Sequence, residues 1–316
     1  MKKIAKLSGI VLASLAILLV GCKKDPDTGS TPITPSNEIG DDAVRYYGEG
    51  SKLTELSVYG VEDLEKLAEL VNAGDDFEGM TVTVKNDIVI NTNVLKEGFL
   101  EPDEGPDGTP NPNFKNLESI GRGKSATESY EASVFKGTFD GNGKVISGLY
   151  MYQGHQGLGL FGRVEKAVIK NVILVDACVI NRNYVPNPDT ASNYPHDNKD
   201  DDRFGGLVGL VDEQATGGVT IKNCLFAGVV GSQAALDRGS PYEYIGGLIG
   251  RTYVASSAKD CYVFARVYGS KESVECGKGL ANLDEDNVTS VDASDYNEEM
   301  AAQILEAVAA VKANLQ

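Results

Sequence analysis

One short phrase returns three times in the middle of this chain: Gly159-Leu160-Phe161-Gly162, Gly206-Leu207-Val208-Gly209 and Gly247-Leu248-Ile249-Gly250, with starts 47 and 41 residues apart. A second phrase follows each one, at residues 168–174 (VIKNVIL), 220–226 (TIKNCLF) and 257–263 (SAKDCYV). An earlier copy, 145–151 (VISGLYM), follows 135–143 (FKGTFDGNG). Each copy holds two or three short strands punctuated by Gly, Asn or Asp, too little to close a core alone. Stacked copies close one by placing like residues over like in a parallel ladder.

In that register Leu149, Val172, Cys224 and Cys261 form one inward column. Ile146, Ile169, Ile221 and Ala258 form another. Asn171, Asn223 and Asp260 stack at a corner, where side-chain amides tie one turn's backbone to the next. The pattern predicts a mostly β chain whose residues 93–275 form a right-handed parallel β-helix, or solenoid. The alternative, an antiparallel β-sandwich, requires matching columns through four copies to arise by chance.

Two helices flank the repeats. In 61–72 (VEDLEKLAELVN), Val61, Leu64, Leu67, Ala68 and Val71 share one face, acids occupy the first turns, and Asn72-Ala73-Gly74 supplies a stop. Residues 80–90 (MTVTVKNDIVI) alternate as a strand, so 51–92 read as a helix-strand cap. Over 294–316, Met300, Ile304, Leu305, Val308, Val311 and Leu315 make an apolar face behind a candidate N-cap at Ser294. Solenoid ends expose unpaired strand edges. The expectation is that the two helices cover the two ends, with 276–316 as the C-terminal cap.

The N-terminus has the organisation of an export signal. Lys2, Lys3 and Lys6 precede an apolar run at 7–20, 14 residues long, shorter than the roughly 20 a spanning helix needs. The run ends in Leu19-Val20-Gly21-Cys22, which resembles a bacterial lipobox. The resemblance implies cleavage after residue 21 and a lipid on the Cys22 thiol, anchoring the chain to a membrane. Residues 22–50 then read as a flexible tether rich in Pro, Ser, Thr, Asp and Gly. Lys24-Asp25 resembles part of the Lys-then-acid export signal of Bacteroidota surface lipoproteins, although Pro26 interrupts it. The expected location is the outer membrane, facing outward. Losing the three lysines of 1–21 takes the formal charge from −17 to −20. Such an acidic surface repels phosphate backbones and argues against nucleic acid as a partner.

The glycine phrases, with the Asn-Cys or Asn-hydrophobic pair behind them, look like the GLUG repeat of bacterial surface proteins. The order of elements also resembles chains carrying that repeat: a helix ending in Val71-Asn72, a strand into Asp87-Ile88, then Ser119-Ile120-Gly121 and 135–143. The resemblance covers roughly residues 58 to 270. It implies a cell-surface β-helix, often adhesin-like, without an agreed catalytic site.

The chemistry-bearing residues are sparse. Cys224 and Cys261 fall on stacked strands about 4.8 Å apart, wider than the about 3.8 Å between Cβ atoms in a disulfide, so they read as core thiols. Cys178 points inward by alternation, and Cys276 has no assignment. Five cysteines without CxxC spacing and two histidines disfavour zinc. HExxH and GxSxG are absent, and Gly154-His155-Gln156 only partly matches a pectinase phrase. Asp140, in Phe139-Asp140-Gly141-Asn142-Gly143, reads as turn chemistry. No cofactor is implied.

Two insertions stand out, 181–203 and 232–244. Both leave after a second phrase and return before a glycine phrase, which places them at one corner. There they carry Tyr184, Tyr194, His196, Arg238, Tyr242 and Tyr244, with Asn183 and Asn193. Tyrosine faces stack on sugar rings, and loops on a rigid scaffold are where binding usually sits. A solvated decoration without a ligand is the plainer reading. Asp200, Asp201 and Asp202, with Asp197, offer oxygens to calcium, but the spacing is not that of an EF-hand and a charge run is ordinarily just solvated. The expected function is a non-catalytic, adhesin-like surface module holding a glycan or host protein. The alternatives are a solenoid lyase or hydrolase acting on polysaccharide, and a structural component of the envelope.

Overall fold

The computed structural model describes residues 55–95, 111–123, 133–153, 157–181, 203–212, 214–231, 244–269, 271–293 and 297–315. In chain order the elements begin with β1 (Glu55–Val58), α1 (Val61–Asn72), β2 (Thr81–Val84), β3 (Ile88–Val89), β4 (Thr138–Asp140), β5 (Val145–Ser147) and β6 (Tyr150–Gln153). Then come β7 (Phe161–Val164), β8 (Val168–Lys170), β9 (Ile173–Asn181), β10 (Arg203–Gly205), β11 (Val208–Val211), β12 (Thr220–Lys222) and β13 (Leu225–Val230). Last are β14 (Tyr244–Gly246), β15 (Ile249–Thr252), β16 (Ser256–Val267), β17 (Cys276–Lys278), β18 (Leu283–Asp292) and α2 (Glu298–Ala313).

The protein is mostly β, and every strand pair among the described residues is parallel. That excludes the antiparallel sandwich. One ladder runs β1-β2-β4-β8-β12 and a second runs β3-β5-β9-β13. The long β16 pairs with both, turning in one strand the corner that earlier copies break at, so the ladders join into a single strongly curled twelve-stranded sheet. A four-stranded sheet, β7-β11-β15-β17, and the pair β10-β14 complete the β structure. The main core lies between them, with Phe139, Ile169 and Ile221 from the curled sheet and Phe161, Val208 and Ile249 from the four-stranded one.

The repeat register holds for the later copies. Cys224 falls opposite Val172 and Cys261, and Ile221 falls opposite Ile169 and Ala258. The first copy is out by one strand. Phe139, not Ile146, belongs with Ile169, while Ile146 pairs with Leu174, and Leu149 leaves the Val172 column. The Thr138-Phe139-Asp140 strand was hidden inside a glycine-rich phrase that reads as a turn. The predicted strand 80–90 is likewise two strands, broken at 85–87, where the Asp87 carboxylate accepts the Val145 N–H.

The corner ladder is present. Asn171, Asn223 and Asp260 all take left-handed backbone, with φ of 55°, 52° and 52°, a conformation Asn and Asp tolerate best among residues with a Cβ. Asn171 Nδ2 donates to Asp140 Oδ1 at 2.9 Å, and Asn223 Nδ2 donates to Asn171 Oδ1 at 2.8 Å. Asp140 also accepts the Asn142 N–H and pairs with Lys170, as turn chemistry requires.

The helices divide the capping work unequally. Helix α1 buries Leu64, Leu67, Ala68, Leu70 and Val71 in the main core beside β1. Helix α2 does not cover the other end. It lies on the flank of the curled sheet, where Met300, Ile304, Ala307, Val308 and Val311 form a second core with Ile173, Val175, Leu225, Val229 and Phe264. Its N-cap is Asn297, whose side chain accepts the Met300 N–H, whereas Ser294 lies outside the described residues. Leu315, expected on the apolar face, is 43% exposed. The far end is β18, which among the described residues pairs with β16 alone and carries exposed Asp284 and Asp286. Charge on an edge strand discourages pairing with another chain.

A bulge at Asp176 explains a further departure. The register of β9 against β13 shifts there, and Asp176 takes φ 50°. One extra residue reverses the alternation. Cys178 therefore faces the second core rather than the main one, while Cys276 falls in the Phe161-Val208-Ile249 column of the main core. Cys178, Cys224, Cys261 and Cys276 are buried free thiols. Burial pushes the Cys276 thiol up to about 12, far from thiolate reactivity.

The Asp176 carboxylate accepts the backbone N–H groups of Val94 and Leu95, yet burial outweighs those bonds and pushes its pKa from 3.8 up to about 6. The folded state therefore holds this proton more tightly than the unfolded chain. Stability falls as pH rises between those values, by on the order of 2–3 kcal/mol in total from this group. Urea unfolding of the native chain and Asp176→Asn, compared from pH 4 to 7, is expected to show the native chain losing about 2–3 kcal/mol relative to the variant as pH rises. A constant difference across the window contradicts it. Glu285, pushed up to about 7 by burial and by Glu275, slopes the same way in both proteins and cancels in the comparison.

Candidate functional site

The second position of each strand in the four-stranded sheet is glycine: Gly162, Gly209, Gly250 and Gly277. A Cβ on Gly209 would meet Leu158 N at 2.5 Å, one on Gly250 would meet Phe204 N at 2.5 Å, and one on Gly277 would meet Ile245 N at 2.3 Å. Each glycine is thus pressed against the backbone of the preceding copy's short segment. This lets β10 and β14 lie directly against the sheet.

That close approach brings two columns of long side chains together. The position after each glycine holds Arg163, Leu210, Arg251 and Lys278, in register. The short strands begin with Arg203 opposite Tyr244. Leu210 is 1% exposed yet belongs to neither core, so the charged neighbours cover it. The Arg251 guanidinium carbon lies 4.2 Å from the Tyr244 ring centroid and 3.9 Å from that of Tyr253. Arg203 lies 5.7 Å from the Tyr253 ring, and its Nη2 donates to the Tyr253 hydroxyl at 3.4 Å. Each stacked pair contributes about 0.5–1 kcal/mol when partly exposed.

Four cations meet two carboxylates here. Arg163 pairs with Asp212 at 2.5 Å, and Lys278 pairs with Glu272 at 3.0 Å. Burial alone would raise the Asp212 carboxyl. The Gln214 backbone N–H and the Arg163 and Arg203 guanidiniums outweigh it and hold the group below the usual range. Glu272 is lowered chiefly by the Leu280 N–H it accepts. Arg251 stands apart, since among the described residues it has ring partners and no oxygen acceptor. The Nε atoms of Arg163 and Arg203 are likewise buried without an acceptor.

The stack stands at the feet of the insertions. The first leaves after β9 and returns at Arg203, and the second leaves after β13 and returns at Tyr244, with both exits and both returns side by side in register. Of the residues anticipated for binding, Tyr244 is in the stack. Tyr184, Tyr194, His196, Arg238 and Tyr242 lie outside the described residues, as do Asn183, Asn193, His155, the calcium candidates Asp200, Asp201 and Asp202, and Cys22. Sequence reading passed over Arg163, Arg203, Arg251, Tyr253 and Lys278. The signal was in the repeat itself, because three of four copies continue the glycine with a cation: Gly162-Arg163, Gly250-Arg251 and Gly277-Lys278.

A second concavity, an open cleft of about 450 Å³ beside α1, is lined by Glu65, Glu69, Asn72, Ala73, Asn116, Glu118 and Arg122. It offers no aromatic face. Among the described residues, no cluster of three or more His, Cys, Asp or Glu side chains is set to hold a metal, and no helix is long and apolar enough to cross a membrane. Comparison of the chain with models of protein families, with curated proteins and with solved structures finds no match.

Proposed function

We propose that this chain is a lipid-anchored surface protein of the GLUG-repeat kind, that its coil is a right-handed β-helix, and that it binds a glycan or host protein without catalysis at the insertion corner. The lipobox-like Leu19-Val20-Gly21-Cys22 supports the anchor, and Lys24-Asp25 behind it supports an outward-facing location on the outer membrane. Parallel pairing of successive copies in register supports the coil. The observation that carries the binding role is the contact of Arg251 with both the Tyr244 and Tyr253 rings where the insertions return. Aromatic and guanidinium groups held on or beside paired strands are the equipment of a recognition surface.

The convergence of Arg163, Arg203, Arg251 and Lys278 beside Asp212 also favours a second reading, a polysaccharide lyase or hydrolase. Its weakness is Asp212. A general acid needs a raised pKa, and this carboxyl is held low. Cys22→Ala is expected to move the protein from the membrane fraction to the soluble one and abolish labelling by a fatty-acid precursor. A glycan and host-matrix panel is expected to show saturable binding with no new reducing ends or unsaturated products. Product formation supports the enzyme reading, and a silent panel with an intact fold sinks the binding one.

A further inference from the structure

We infer that the Arg251 stack is a subsite for a carboxylate-bearing sugar residue, a uronic-acid-type unit at the end of a glycan. The inference rests on the glycan-binding reading and specifies its ligand.

The geometry of Arg251 carries the argument. A guanidinium presents its N–H donors in its own plane. The Arg251 guanidinium carbon lies over the Tyr244 and Tyr253 rings at 4.2 and 3.9 Å, contacts that hold the group without an oxygen acceptor. No described oxygen accepts its donors. Arg163 pairs with Asp212 and Lys278 with Glu272, while Arg203 lies in the field of Asp212 and donates to the Tyr253 hydroxyl, which leaves Arg251 as the member of the group without an oxygen partner among the described residues. Lys278 sits on the adjacent strand, directly in register with Arg251. Glu272 offsets the Lys278 charge, so the remaining positive field at this register position is that of Arg251. A planar carboxylate matches the fork with two parallel hydrogen bonds. The tyrosine edges give the C–H face of a pyranose an apolar surface beside it.

The charge of the whole chain narrows the ligand. At −17 the protein repels a polyanion at a distance. Screening over about 8 Å at physiological salt leaves a local excess of four cations over two carboxylates to be felt only at contact. The fit is therefore to a single acidic sugar rather than to a long acidic polymer.

The test uses the full chain in detergent, titrated by calorimetry with three matched oligosaccharides ending in glucuronate, glucose 6-sulfate or glucose. The glucuronate ligand is expected to bind roughly tenfold or more tightly than the neutral one, because a charge-assisted bidentate contact is gained. Arg251→Gln removes that preference, and Arg251→Lys recovers only part of it. Circular dichroism and urea midpoint of both variants check the fold, and Arg251→Lys keeps the test decisive if the Gln variant unfolds. Equal affinity for glucuronate and glucose overturns the acidic subsite while leaving glycan binding intact. Preference for the sulfate ligand overturns the carboxylate assignment. No binding of any of the three by a folded chain overturns both the subsite and the glycan reading beneath it.

Discussion

Gly250→Ala is expected to destabilise the chain by about 3 kcal/mol or more, at the high end for an added methyl group. The new Cβ would stand 2.5 Å from Phe204 N and 2.6 Å from Gly209 O. Both are backbone atoms, one in the preceding copy's short strand and one in the neighbouring sheet strand, so neither can swing aside. Relief requires β10 to lift off the sheet, which carries Arg203 away from Arg251 and Tyr253. Urea unfolding is the measurement, and Gly60→Ala is the control. Gly60 has nothing within 4 Å of a built Cβ and extended backbone at φ −162°, so its change is expected to cost less than about 1 kcal/mol. Equal effects of the two substitutions would show that the glycine column is not what seats the short strands.

Asn223→Asp changes one atom and is expected to cost as much. The Asn223 amide donates to Asn171 Oδ1 at 2.8 Å, to Val311 O at 3.0 Å and to Asn314 O at 3.3 Å. The corner ladder thus reaches out to the carbonyls at the C-terminal end of α2, where Val311 O otherwise accepts a long 3.3 Å bond from the Asn314 N–H. A carboxylate there has only acceptors to offer. It would face three oxygens, buried, at the negative end of the helix dipole. The expected loss is about 3 kcal/mol or more at pH 7, from a buried unpaired charge. Asn223→Gly loses the amide but suits φ 52°, so its cost is expected nearer 1–2 kcal/mol. Acid separates the causes. Protonating the new carboxyl restores one O–H donor and removes the charge, so the deficit of Asn223→Asp against native should shrink from pH 7 to pH 4, while that of Asn223→Gly should not. A deficit of the Asp variant that is unchanged by pH would mean that charge plays no part.

Helix α1 was legible to the residue because its apolar spacing and its Asn72-Ala73-Gly74 stop are local signals. The parallel register of the later copies was legible because like stands over like, Ile221 on Ile169 and Asn223 on Asn171. The first copy was misplaced because Thr138-Phe139-Asp140 carries its strand in a glycine-rich phrase, and nothing local distinguishes it from a turn. The candidate site was half legible. The insertions pointed to Tyr244 and its corner, whereas Arg203 belongs to an earlier copy than Arg251 and Tyr253 and meets Tyr253 only after stacking.

The order of residues by itself determined the period, the inward columns of the later copies, the asparagine corner and the acidic balance, because each follows from spacing along one strand or one turn. Only the tertiary structure decided where α2 docks, which way Cys178 faces past the Asp176 bulge, and which guanidinium is left without an oxygen partner among the described residues. Those outcomes depend on contacts between residues tens of positions apart, and on a single extra residue that reverses a two-residue period. Neither leaves a mark in local composition.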